Sequence, residues 1–278
     1  MAAASSPSPI SASRRHRATP TRPTSCRPPS KPATARQAIA CPSPALDADQ
    51  GSACAGAVRF GHEEGLIMGL TRLLLLCGVA ATVLYAGMDI VAGALFYPGY
   101  DFTTQQVSEL SAIGAPSRDF WMAMSYPFAL LLLAFAAGVW STGAGKMSLR
   151  IAAVLIALFA ANALAWGWLA PMHMRNTEFT GTDTMHLVFA VSAIVLILAF
   201  IGFGAAALGR GFRLYSAITL VLMLGAGAWV GTQVAAIAAG GPTPGAGLVE
   251  RLSVHGPMLW LAVFALALLP LTRQHPTG

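Results

Sequence analysis

From residue 72 onward this 278-residue chain is a succession of apolar blocks, each about 20 residues long and nearly unbroken, separated by short polar loops. An α-helix of that length crosses a hydrocarbon core of about 30 Å. Six such helices are predicted, with approximate limits 72–96, 120–140, 150–170, 186–208, 214–238 and 253–271. Strands of a membrane barrel would be about ten residues long with alternating polarity, and no stretch alternates in that way. The expected fold class is therefore all-α, a six-helix polytopic membrane bundle formed by residues 68–278, whose first partner is a lipid bilayer.

Residues 1–67 carry a different pattern. Up to about Arg59 they are rich in Ala, Ser, Pro, Thr and Arg, have no acidic residue before Asp47, and show no helical or strand period. Such a segment buries too little apolar area to offset its conformational entropy, so a disordered basic tail is expected. Three readings stand side by side: an organelle transit peptide, a regulatory tail, and a translation start at Met68, directly before the first apolar block. The first would place the bundle in an organelle membrane, the others in the cell membrane.

Charge adds an orientation. Arg72, Lys146, Arg150, Arg210, Arg213 and Arg273 fall on one side of the six spans, and only Arg118, Arg175 and Arg251 on the other. Lys and Arg in short loops stay cytoplasmic, so both termini are expected in the cytoplasm, with loops 97–119, 171–185 and 239–252 facing outward. Composition agrees with a membrane protein: 55% of the residues are hydrophobic and 10% charged, against about 25% charged in average soluble domains. The net charge of +6 resides mostly in the tail, which holds eight of the 17 basic residues and four of the 11 acidic ones. It is not a nucleic-acid signature. Three of the four cysteines (Cys26, Cys41, Cys54) are in the tail and Cys77 is in the first span, so neither a disulfide framework nor a thiolate metal site is indicated.

Polar groups inside a bilayer are costly and therefore informative. Asp89, Tyr126, Asn162, Ser192 and Gln233 all lie in the halves of their spans nearest the outward loops. They suggest an outward-facing polar cavity with Asp89, Asn162 and Gln233 as its floor. Gly227 and Gly231 form a small-xxx-small pair in the fifth span, which suits close packing within the bundle or, as the alternative, oligomerisation.

The loops hold the densest chemistry. Thr103 and Gln106 have capping-box spacing, with Val107, Leu110 and Ile113 on one face of the short helix they would open, presenting Ser108 and Glu109. His173 and Arg175 precede Asp183 and His186, which are three residues apart and share the first turn of helix four; Arg175 could pair with Glu178, and Asp183 could cap that helix. Glu250 and Arg251 precede His255, which shares a helical face with Arg251. Histidines beside carboxylates suit acid–base work or a metal with nitrogen and oxygen ligands. No HExxH, HxxxH, GxSxG or Walker-type motif is present. Glu109, Asp183 and His186 are expected to belong to one site over a common centre.

At Ser108–Pro116, at Met172–Arg175 with Thr182–His186, and at Glu250–Arg251 before Trp260, the chain resembles the integral membrane family called domain of unknown function number 998, over about residues 69–272. The resemblance implies a six-helix bundle with these motifs on one membrane face, and no known activity. A looser similarity is to zinc-dependent intramembrane hydrolases of the ceramidase and adiponectin-receptor type. It implies zinc held by residues such as His173, Asp183, His186 and His255, with Ser108 nearby, although the HxxxH pair of those proteins is missing.

Four functions are open on this reading. The preferred one is binding or transport of a small polar ligand or lipid head group at the outward site, with Asp89 and Arg175 as charge partners. The others are a zinc-dependent lipid hydrolase, a haem electron carrier, and a structural or sensory component. A haem carrier needs histidines in both leaflets, and the inner halves of the spans have none.

Overall fold

The computed structural model describes residues 48–273, with the side chains of 65–272. The expected tail falls largely outside the described residues, and helix α1 begins at Ala48 and runs to Val91. Its last turn continues as a π-turn, Ala92–Phe96. There follow α2 (Arg118–Thr142), α3 (Met147–Leu169), α4 (Gly181–Ala206), α5 (Arg210–Gly231), the single turn α6 (Val234–Ala238) and α7 (Ala246–Leu268). Six helical stretches are long and apolar enough to cross a membrane, Gly65–Phe96 and Ala246–Thr272 being the first and last. The protein is thus a multi-pass α-helical membrane bundle; among the described residues strand pairing is limited to one bridge between Ile113 and His173.

Two limits differ from the sequence expectation in ways that matter. Helix α5 stops at Gly231, where Thr232 Oγ1 turns back to the carbonyl of Trp229 at 2.6 Å and competes with the helix ladder. Gln233 therefore leaves the span and bonds the Thr232 hydroxyl at an exposed position. Helix α7 starts seven residues earlier than predicted, because Gly245 takes a left-handed conformation (φ 77°) that turns the chain into it. Glu250 and Arg251 are consequently helical residues of the bundle, not loop residues.

Lipid is as apolar as leucine, so close contact and not transfer from water must hold these helices together. The crossing of α1 and α2 shows how. A Cβ on Gly138 would lie 2.8 Å from the backbone nitrogen of Leu75, and one on Gly78 would meet the Phe135 ring at 2.8 Å. In the half near the short loops the core is solid: Trp260 stacks on Phe264 with ring centroids 4.7 Å apart, and Phe200, Phe212 and Phe135 close around them. The indole nitrogen of Trp260 donates to the Ser216 hydroxyl at 2.8 Å, which removes its desolvation cost. A Cβ on Gly231 would meet nothing within 4 Å and one on Gly227 only Ser253 at 4.0 Å, so at neither position does a close helix approach require glycine. The half near the long loops 97–117, 170–180 and 232–245 is hollow.

Candidate functional site

The long-loop end is built around loop 97–117. Asp101 organises its start, accepting from the backbone N–H and hydroxyl of Thr103 (2.8 and 2.7 Å) and the Thr104 hydroxyl (2.8 Å). These donors hold its carboxyl below the ordinary carboxylate range. With Thr103 so engaged, the capping box forms three residues later than expected. Gln106 caps a 3₁₀ turn, Val107–Ser111, and Glu109 Oε1 accepts from the Gln106 N–H at 2.8 Å. Val107 and Leu110 are buried against Ala92 and Tyr100, whereas Ile113 stays partly exposed and pairs with the next loop through Met172.

Arg175 joins the three long loops. Its Nε and Nη2 donate to the two Glu109 oxygens at 2.8 and 2.6 Å, its Nη1 to the Thr243 hydroxyl at 2.8 Å, and its Nη2 also to the Thr104 carbonyl at 3.0 Å. The carboxylate bonding it raises its already high pKa further. Asn176 next to it adopts φ 61°, a left-handed conformation that Asn tolerates better than most residues. Glu178 is exposed and is not the partner of Arg175, contrary to the local pairing the sequence suggested.

Asp89 is the centre of a second group. Arg251 Nε and Nη2 donate to its two oxygens at 3.0 and 2.8 Å, and His255 Nε2 lies 2.9 Å from Oδ2. The guanidinium also donates to the Tyr100 hydroxyl at 2.9 Å and to the carbonyls of Phe102, Gln105 and Gly247 at 2.9, 3.2 and 3.1 Å, with the Phe102 ring centroid 4.8 Å from its carbon. Burial pushes the Tyr100 hydroxyl well above its usual range, keeping it a neutral donor to the Gln106 carbonyl at 2.6 Å. Both Arg175 and Asp89, expected as charge partners for a ligand, are thus consumed by partners within the chain.

Asp183 does cap α4, taking the Thr180 N–H at 2.8 Å, and also holds His173, at 2.7 Å from its N–H and 2.9 Å from its Nδ1. His186 lies apart, its Nδ1 2.9 Å from the Trp166 indole nitrogen and 3.0 Å from the Ala170 carbonyl. An indole can only donate and a carbonyl can only accept, so Nδ1 hydrogen-bonds one or the other according to its tautomer. Glu109, Asp183 and His186 therefore enter three separate hydrogen-bonded groups. The zinc set is corrected as well: His173 faces Asp183, His255 faces Asp89 and His186 faces Trp166. Among the described residues no group of three His, Cys, Asp or Glu could hold a metal ion.

Beneath the loops lies a cavity of about 530 Å³, walled by all six spanning helices and by the 3₁₀ turn. Its wall is mostly apolar and aromatic, with Trp121 and Trp166 within a turn of the loops, Tyr85 and Phe128 beside them, and Ile197 and Met258 deeper. Polar groups reach it only at the loop end, from Ser108, Ser111, Ser125, His186, Glu250 and Ser253. Glu250 accepts from the Ser108 hydroxyl at 3.0 Å and from the Val107 N–H. The expected floor of Asp89, Asn162 and Gln233 is absent from this wall. Asn162 bonds Ser192 at 2.8 Å, and its Nδ2 is buried without a partner. Tyr126 is exposed on the bundle surface.

Sequence reasoning missed the aromatic wall, because aromatic residues in apolar spans look alike whichever way they face. It also missed Arg118, which bonds the Ser111 carbonyl and, at 3.0 Å, the Gly167 carbonyl, tying loop 97–117 to α3. A family profile described as "Protein of unknown function (DUF998)" matches residues 70–267. No curated protein and no solved structure matches the chain.

Proposed function

The chain belongs to that family of membrane proteins of unknown function (DUF998), and we propose that it binds an amphiphile such as a single-chain lipid inside the bundle. The apolar body would occupy the cavity and the head group its polar end, beside Ser108, His186 and Glu250. The carrying observation is the cavity. At about 530 Å³, with polar groups confined to one end, it falls within the range of roughly 300–1,000 Å³ typical of ligand sites, and its polarity gradient matches an amphiphile better than a small polar solute. The consumption of Arg175 and Asp89 by internal partners supports the same preference over a charged solute held in the loops.

The test is occupancy. Gly227 lines the cavity and a Cβ there has only Ser253 nearby, at 4.0 Å, so Gly227→Phe would place a ring in the cavity without a backbone clash. The wild-type chain purified in a neutral detergent should retain an amphiphile detectable by mass spectrometry of the extract, and the variant should lose it. Equal retention by both sinks the reading.

A further inference from the structure

Four carboxylates of the long-loop half lie inside the bundle: Asp89, Glu109 and Asp183 are buried, and Glu250, half-buried, lines the cavity. Three of them have cations or a histidine within 2.9 Å, namely Arg251 and His255, Arg175, and His173. Glu250 is in no ion pair among the described residues, and its neighbour Arg251 turns to Asp89. Its two partners are neutral donors, the Ser108 hydroxyl and the Val107 N–H. The remaining carboxylates of this end, Asp101, Asp119 and Glu178, are exposed and solvated.

A carboxylate facing an apolar cavity in a membrane requires a proton or a cation from outside the chain. The surrounding wall favours a cation. Tyr85 stands edge-on to Trp121 with centroids 5.9 Å apart and 5.3 Å from the Phe128 ring, and Trp166 shares the same cavity. Aromatic faces attract an ammonium, most strongly where water is excluded. Of the three guanidinium groups at this end, those of Arg175 and Arg251 are filled by carboxylates and carbonyls and that of Arg118 is held by the Ser111 and Gly167 carbonyls; none of the three lines the cavity, whereas Glu250 does.

We infer that the cavity selects cationic amphiphiles, taking an amine or quaternary ammonium head against the Glu250 carboxylate and the Tyr85–Trp121 aromatic corner, with the hydrocarbon part running toward Ile197 and Met258. This rests on the amphiphile reading and specifies its head group.

The probes are decyltrimethylammonium and its uncharged isostere, in which carbon replaces the ammonium nitrogen. Each is measured by equilibrium dialysis against the full chain in a neutral detergent, and binding lost in Gly227→Phe is counted as cavity binding. The wild type should hold the ammonium about tenfold or more tightly than the isostere, the gain expected of one desolvated cation–π contact. Glu250→Gln should bring that ratio close to one, and Trp121→Leu should lower it. A wild-type ratio of one or less, or a ratio unchanged in Glu250→Gln, overturns the inference. If Glu250→Gln does not fold, the wild-type ratio and Trp121→Leu decide. Cavity binding of the isostere with no preference for charge leaves the amphiphile reading intact, while cavity binding of neither probe removes both.

Discussion

Removing Arg175 should unfasten three loops at once. Its side chain is 17% exposed and that of Glu109 4%, so the pair is little screened by water. Arg175→Ala leaves Glu109 charged and buried, with the Gln106 N–H as its remaining donor, and strips the Thr243 hydroxyl and the Thr104 carbonyl of a partner. Breaking a buried pair from one side costs about 3–5 kcal/mol. In a chain of this size that lowers Tm by roughly 6–20 °C. Glu109→Leu with Arg175→Met removes both charges and keeps apolar volume, and the double variant should be no less stable than Arg175→Ala alone. The assay is thermal unfolding in a neutral detergent followed by tryptophan fluorescence, for Arg175→Ala and for the double-mutant cycle of wild type, Glu109→Leu, Arg175→Met and the double variant. A loss below about 1 kcal/mol in Arg175→Ala would place the pair with ordinary surface ion pairs and refute the reasoning.

Orientation is open to direct measurement. In a cysteine-free background, Glu178→Cys should react with an impermeant thiol reagent added outside intact cells and Ala144→Cys should not, since both positions are exposed and lie at opposite ends of the bundle; the reverse pattern would invert the topology. Gly138→Leu should abolish or sharply reduce folded yield, because even its Cβ would stand 2.8 Å from the Leu75 backbone, whereas Gly202→Ala, with nothing within 4 Å, should fold normally.

The six spans were legible because one physical constraint, the thickness of the hydrocarbon core, writes itself as block length. The concentration of polar residues near the long loops was legible for a similar reason, the cost of burying them in lipid. Partner choice was not. Arg175 bonds a carboxylate 66 residues away and not Glu178 three residues on, and Asp89 meets an arginine 162 residues downstream. No local period encodes such pairings; the helix crossings decide them. Thr103 illustrates a nearer failure. Its spacing to Gln106 fits a capping box, but Asp101 two residues before it offers a stronger acceptor, and the turn moves to Gln106 and Glu109. The cavity left no mark because Ala190, Ala193 and Gly227 read the same whether they touch a neighbour or empty space.

The grip of Arg251 on Asp89 also has a meaning in time. At about 5–20 residues per second of synthesis, the 162 residues between them take roughly 8–32 s to make. During that interval the first span is already exported from the ribosome with a carboxylate whose guanidinium does not yet exist. A lone carboxylate is disfavoured in lipid, so the nascent helix must keep Asp89 protonated, hydrated or sheltered by the insertion machinery until the last span arrives. The final helix is then the step that gives Asp89 its partner, and a chain ending before residue 251 lacks the guanidinium that holds the first span to the last.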